Sequence, residues 1–353
     1  MDETNLILVA RRILSELRLV LLAGGSSNER KSSLETKDVL LPYLKSLCRT
    51  VEVVDPNDID HLLRAVRQCD FVLNVVYGAG GEDGTIQGFL DILGVPYSGS
   101  STLPSAIGMN KDIFVSLLRD WGYPVPHGCL VTTLGDPRSW PSELQQAQVL
   151  VLKPIGEGSS LGIKMVDGRG AAAKAIDQIE HSDRCRWRLE EFIEGPSGTV
   201  GIFQVGPKFL IGDAVLFDLP DGWRFYDDRL KQSLVDERVT PRILHGAAAE
   251  RIREDARRLY TQLNCKGLVR FDFIYREGAP VYLETNTIPG LLPASNAPLS
   301  FHSRLSFEDL LILSTAAQVP MQLWKLHKEC EKNSLGNREG SLRGMKYLMT
   351  GRI

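Results

Sequence analysis

Apolar residues first gather in an unbroken run at 19–23, which Gly24 and Gly25 end. A short apolar run closed by glycine predicts a buried strand. The spacing turns helical over 36–48. Val51, Val53 and Val54 predict a second strand, 59–67 a helix and 71–76 a third strand. Strands alternating with helices predict a parallel sheet with helices packed on it. Ligands of such sheets bind at the carboxyl ends of the strands. Two glycine-rich turns fall there, Gly24-Gly25 and 78–84.

Residues 95–99 read as a short strand leaving this unit. Asn110 predicts a helix cap, because Ile113, Phe114, Leu117, Leu118 and Trp121 follow at helical spacing and Gly122 suits the stop. Strands are expected at 149–153 and 163–166 around a tight loop at 156–160. A helix at 171–179 and a strand at 186–193 follow. From Val200 the pattern is α+β. A helix over 247–263 carries Ile252, Ala256, Leu259, Tyr260 and Leu263 on one face. Strands at 268–275 and 281–286 then meet across a Glu277-Gly278 turn, and no internal repeat is present.

A chain of 353 residues exceeds one ordinary core and suggests two or three domains. Lys and Arg number 41 against 44 Asp and Glu, so no basic excess exists to hold a nucleic-acid backbone. An apolar content of 43% with 24% charged residues excludes a mostly disordered chain. Cys48, Cys69, Cys129, Cys185, Cys265 and Cys330 form no C-x-x-C pair, which excludes a zinc ribbon or a thioredoxin-type pair. They predict reduced, mostly buried thiols of a cytoplasmic protein. The first residues lack a secretory pattern, and no apolar run approaches the ~20 residues that span a bilayer, so no membrane partner is expected.

The sharpest chemical signal is the last hairpin. Side chains alternate along a strand, so Arg270 and Asp272 share one face, and Glu284 and Asn286 share a face of the partner. If the register aligns those faces, two carboxylates and an amide oxygen meet beside a guanidinium. Hard oxygen donors without His or Cys suit Mg²⁺ and phosphate oxygens. Arg270 would then face negative charge on a transferring phosphoryl group or a tetrahedral centre. The other reading is a solvated polar face, against which stand Phe271, Phe273 and Tyr275 on the opposite side. The segment from Lys153 to Gly162 joins a lysine to a Gly/Ser turn, a natural phosphate nest, and no Walker loop occurs in the chain. In the turn at 78–84, Asp83 takes the place of a dinucleotide fingerprint's third glycine. That turn either binds a cationic group through Glu82 and Asp83 or is structural. Glu29 is either an ammonium ligand or a helix-start carboxylate. The turn from Thr287 to Gly290 follows the hairpin and should share its cleft.

Taken in order, GGSSNERKSSL, GAGGEDGTIQGFLDILGVPYSGS, MNK, LKPIGEGSSLG, EEFIEGPSGTV, FYDDRLK and VRFDF…LETNTIPG…S resemble the D-alanine–D-alanine ligases of the ATP-grasp superfamily. The likeness covers about 19–298. It implies a mixed α/β and α+β fold of three domains, with ATP clamped between the antiparallel sheets of the second and third. The divisions expected here are 1–102, 103–189 and 190–320, with a basic, frayed and solvated tail at 321–353. By resemblance, Lys111, Lys153 and Lys231 contact the ATP phosphates. Glu190 meets the adenine amino group, with Glu191 and Ile193 lining the base. Asp272, Glu284 and Asn286 hold two Mg²⁺, or Mn²⁺. Glu29 holds the first amino acid's ammonium. Arg270 and the Gly290 N–H form the oxyanion site, Ser159 lies near the acceptor, and Ser295 touches the second substrate's carboxylate. The implied reaction joins two D-alanines through an acyl phosphate for peptidoglycan precursor synthesis, in a cytoplasmic homodimer, with a lid at 226–239.

Three positions depart from the family pattern. Gln232 stands where a Tyr is usual, Tyr77 where a His is usual, and Ser197 where a ribose-binding Glu is usual. Gln232 and Tyr77 are on the acceptor side, so the alternative expectation is a related ATP-grasp ligase with a different acceptor.

Overall fold

The computed structural model describes residues 2–158, 162–180, 183, 186–220, 239–320 and 323–324. The chain begins with α1 (Glu3–Leu14), capped by the Asp2 carboxylate on the Asn5 N–H. Sequence reading took this stretch only as lacking a secretory pattern, yet Leu6, Val9, Ala10, Ile13 and Leu14 bury one face of it. Next come β1 (Arg18–Leu22), α2 (Arg30–Leu47), β2 (Thr50–Val54), α3 (Ile59–Val66) and β3 (Phe71–Asn74). The three strands form the expected parallel sheet, ordered β2-β1-β3. The segment at 95–99 contributes a single parallel bridge, Val72 with Tyr97, where a strand was expected. Helices α4 (Thr85–Leu93), α5 (Thr102–Met109) and α6 (Lys111–Asp120) follow. Asn110 caps α6 by accepting the Asp112 and Ile113 N–H groups.

A four-stranded sheet, ordered β4-β7-β5-β6, is built from β4 (Gly128–Leu130), β5 (Val149–Pro154), β6 (Lys164–Asp167) and β7 (Trp187–Glu191), with α7 (Ser142–Gln146) and α8 (Gly168–Asp177) on it. Its inner core holds Leu150, Leu152, Leu189, Ala172 and Ile176. A six-stranded sheet then contains β8 (Ser197–Val205), β9 (Lys208–Ile211), β10 (Val215–Asp218), β11 (Thr240–Ile243), β12 (Val269–Arg276) and β13 (Ala279–Asn286). Its order is β11-β10-β8-β12-β13, and β9 pairs with β8. Helix α9 (Ala247–Gln262) packs Ile252, Ala256 and Leu259 beneath it.

The chain passes from one sheet to the other between Glu191 and Ser197, slightly beyond the expected 189/190 division. Helix α6 also joins the second core, through Phe114, Val115 and Leu118. Short helices α10 (Asn296–Phe301) and α11 (Phe307–Ala316) return to the N-terminal unit, where α11 meets α1 in one shared core. Leu323 and Trp324 are buried in that core, and the Trp324 indole N–H donates to the Ala316 carbonyl. These two residues depart from the frayed, solvated tail expected over 321–353. Apart from Leu323 and Trp324, its residues lie outside those described.

The turn after β3 is held by backbone packing. Asn74 Nδ2 and Gln87 Nε2 both donate to the Gly81 carbonyl, at 3.0 and 2.7 Å. A Cβ on Gly81 would lie 2.0 Å from the Val76 carbonyl oxygen. Gly81→Ala should therefore destabilise the fold by about 2 kcal/mol or more in urea unfolding. An unchanged midpoint would mean the turn relaxes freely.

Candidate functional site

The hairpin register brings the chemistry together. Arg270 pairs with Asn286 and Asp272 with Glu284, so all four stand on one face. The ladder shifts between Asp272 and Phe273, beyond these pairs. Phe271 and Phe273 fill the core on the opposite face. Arg270 Nε and Nη2 donate to the Asp272 carboxylate at 2.9 and 2.8 Å. Thr199 Oγ1 and Asn286 Nδ2 donate to it as well. Lys111 Nζ lies 3.3 Å from Glu284. Burial opposes the Arg270 charge, but Asp272, Glu284 and Glu82 outweigh it and hold its pKa above the ordinary value. Two carboxylates and an amide oxygen supply hard donors of the kind Mg²⁺ takes. Among the described residues, no group of three or more His, Cys, Asp or Glu forms a metal cluster.

The cleft between the two larger sheets is lined by Lys111, Lys153, Glu190, Glu191, Ile193, Ser197, Asp272 and Glu284. Val151, Ile163 and Met165 on one sheet and Ile274 and Leu283 on the other make its apolar walls. An apolar slot that carries lysine–carboxylate pairs fits a flat base with an amino group and a polyanionic tail that exchange into those pairs. Lys153 Nζ sits 2.5 Å from Glu190 Oε1, and both side chains are nearly fully buried. The Glu191 carboxylate accepts the His127 backbone N–H at 2.9 Å. Lys111 Nζ also donates to the Glu157 carbonyl.

A smaller space shares Lys111 and Glu284 with this cleft and continues past Asn286 to Gly158 and Glu82. Glu29 stands beside it, since a Cβ on Gly158 would fall 2.3 Å from its Oε2. Glu29 is the N-cap residue of α2, at the helix start as one of the two readings has it, and its side chain makes no capping hydrogen bond. Ser295 Oγ accepts the Leu292 N–H, and a Cβ on Gly290 would lie 3.0 Å from it, which places the two together. Ser159, Lys231, Gln232 and nearly all of the lid at 226–239 lie outside the described residues.

Tyr77 is buried, and its hydroxyl is already engaged. It donates to Thr36 Oγ1 at 3.1 Å and accepts the Leu291 N–H at 3.3 Å. Burial pushes its pKa up to about 12. The phenol braces the loop beside Gly290 against α2. Glu82, which the sequence left open between cation binding and a structural turn, accepts the Gly78 N–H at 2.7 Å. Burial first, and repulsion from Glu29 second, push its pKa up to about 8. The signal for it was the paired acids of the turn, but only the fold brings Glu82 near Glu29. Of the six cysteines, Cys48, Cys69, Cys129 and Cys265 are free thiols, and burial pushes Cys48, Cys69 and Cys265 up to about 12. Cys185 and Cys330 lie outside the described residues.

Tyr77→Phe strips the Leu291 N–H of its acceptor and should lower stability by about 1–2 kcal/mol, read by calorimetry. Wild-type stability within error of the variant would remove the bracing role. Glu82 makes the fold pH-dependent in a definite direction. Its proton is kept in the folded chain to about pH 8 but lost near 4.5 when unfolded. Its contribution is therefore complete below 4.5 and declines as pH rises toward 8. Glu82→Gln should gain on wild type in denaturant midpoint between pH 5 and 8. Parallel profiles would show that Glu82 titrates normally.

Comparison with known proteins agrees with this geometry. Residues 137–313 match the family model for the D-ala D-ala ligase C-terminus, and 50–100 match that for its N-terminus. A D-alanine–D-alanine ligase of Synechococcus sp. (strain JA-2-3B'a(2-13)) is 33% identical over 332 residues, covering 91% of this chain and 99% of the relative. One from Desulfotalea psychrophila is 34% identical, covering 80% of this chain and 88% of the relative. The crystal structure of the Bacillus anthracis ligase complexed with ATP superposes with a TM-score of 0.71 at 25% identity, over 89% of this chain and 99% of that one. In sequence along nearly its whole length, and in the arrangement of its sheets, the chain belongs to the D-alanine–D-alanine ligase family.

Proposed function

We propose that this chain is an ATP-dependent ligase that joins two D-alanines, releasing ADP and phosphate, for peptidoglycan precursors. The observation that carries the reading is the register of Arg270 and Asp272 against Asn286 and Glu284 in a cleft shared with Lys111, Lys153 and Glu190. The first amino acid's carboxylate attacks the γ-phosphate and becomes an acyl phosphate. The second amine attacks its carbonyl carbon, and phosphate leaves. No protein nucleophile is required, so the protein contributes position and charge.

Glu29 holds the first ammonium. Lys111, Lys153 and Lys231 neutralise the nucleotide phosphates, while Glu190, Glu191 and Ile193 receive the adenine. Arg270 and the Gly290 N–H face the charge that develops at the acyl carbon, with Ser159 and Ser295 on the acceptor side. Asp272, Glu284 and Asn286 fit Mg²⁺, because they are oxygen donors whose charge two neighbouring cations now balance. Bound there, the metal supplies Lewis-acid neutralisation of phosphate oxygens. The lid at 226–239 excludes water from the acyl phosphate. No helix among the described residues is long and apolar enough to cross a membrane. Family likeness supports a cytoplasmic homodimer.

A second reading, another amino acid or amine as acceptor, draws on Tyr77. With its hydroxyl spent on Thr36 and Leu291, it offers the acceptor no titratable group near neutrality.

Phosphate release from ATP and Mg²⁺ with D-alanine alone, with the product identified by mass, tests both readings. D-alanyl-D-alanine is the expected product, and Asp272→Asn should lower turnover by about a hundredfold or more. ATP binding without turnover, followed by turnover with another acceptor, moves the second reading ahead. Full activity of Asp272→Asn would overturn the assigned site.

A further inference from the structure

Strand β7 carries a cation that the reaction above does not use. Arg188 lies two residues before Glu190 and directly opposite Lys153 of β5. Opposite residues of an antiparallel pair share a face, so Arg188, Glu190 and Lys153 all stand on the cleft side. The neighbours Leu150, Leu152 and Leu189 point the other way, into the core. The Arg188 side chain is 1% exposed. Its Nε donates to Glu190 Oε2 at 3.1 Å, and its Nη1 donates to the Asp112 carboxylate. Its Nη2 is buried without a partner.

A guanidinium so deeply buried is a poor device for stability alone. Desolvation offsets most of the ion-pair gain, an apolar side chain of similar size serves a fold as well, and here one donor is left unmet. What the arginine alone supplies is a rigid planar fork that fixes two carboxylates relative to each other. One is Glu190. The other, Asp112, sits in the first turn of α6 beside Lys111, and α6 packs under the opposite sheet. Glu190 Oε1 is held by Lys153. When Lys153 turns to a phosphate, Arg188 is the cation that remains on Glu190.

We propose that Arg188 is a positioning residue for the nucleotide. It aims the Glu190 carboxylate at the base's exocyclic amino group and ties the sheet bearing Glu190 to the helix bearing Lys111. This rests on the reading of the cleft as the ATP site with Glu190 at adenine.

The test compares ATP with ITP, whose base has a carbonyl in place of the amino group. KM and kcat, together with calorimetric nucleotide affinity, are measured for wild type, Arg188→Met, Arg188→Lys, Asp112→Asn and Glu190→Gln. Arg188→Met should raise KM for ATP by about tenfold with little change in kcat, and should cut the preference for ATP over ITP by about tenfold. Arg188→Lys should recover part of both. Asp112→Asn keeps the Arg188–Glu190 bond, so it should weaken ATP and ITP alike and leave the preference intact. If Glu190→Gln loses the preference while the Arg188 variants keep it, the inference fails and the adenine reading stands. If Glu190→Gln also keeps it, both fail together. If Arg188→Met does not fold, the preference measured on Arg188→Lys decides, and a wild-type preference there, with wild-type affinity for both nucleotides in Asp112→Asn, overturns the proposal.

Discussion

Buried charge is the constraint around which the cleft is built. A carboxylate removed from water survives ionised only beside a cation or several donors. Three carboxylates of the seam between the two larger sheets are matched by cations, Asp272 by Arg270, Glu284 by Lys111, and Glu190 by Lys153 with Arg188, while Glu191 accepts the His127 N–H. Two of the pairs, Lys111 with Glu284 and Lys153 with Glu190, join different elements, and the other two lie within a single strand. Lys111 starts a helix, Lys153 ends a strand, and Arg270 stands one pleat from its acid. A ligand that brings its own phosphates and metal can exchange into these pairs without leaving a charge unmet, so the resting network already has the polarity its ligand needs.

Much of the site was legible because strand periodicity is rigid. Alternation alone put Arg270 with Asp272 and Glu284 with Asn286, and the short Glu277-Gly278 turn left few registers that keep Phe271 and Phe273 inside. The parallel sheet was legible for the same reason, since its strands are continuous apolar runs. Less legible was anything depending on contact between distant segments. Nothing local distinguishes the Tyr77 hydroxyl as a brace for Leu291, and nothing local sets Arg188 against Asp112, 76 positions away. Helix α1 was overlooked because its amphipathic face acquires a partner only in α11. Helices α4 and α5 sit among glycines and a proline that weaken the periodic signal, and burial against neighbours decides their structure.

The loops that follow β3 and β13 are held by a different logic from the charged seam. There the contacts run through backbone groups: the Leu291 N–H on Tyr77, the Leu292 N–H on Ser295, and the Gly78 N–H on Glu82. Loops held this way depend on the accepting side chain, so losing any one of the three leaves a backbone N–H without its partner. Burial and the neighbouring Glu29 raise the Glu82 pKa, which favours its uncharged form and limits the negative charge gathered beside Glu29.

The shared core of α1, β1, β3 and α11 has a consequence for how the chain is made. Helix α1 buries its apolar face against residues some 300 positions further along the chain. The parallel sheet can form before α11 is made, but the surface of α1 that faces α11 stays uncovered until then. Loop closure over such a separation is slow, so this face is where a nascent chain is open to chaperones and to aggregation. Helix α11 thus seals the N-terminal unit only after the hairpin of β12 and β13 has been laid down.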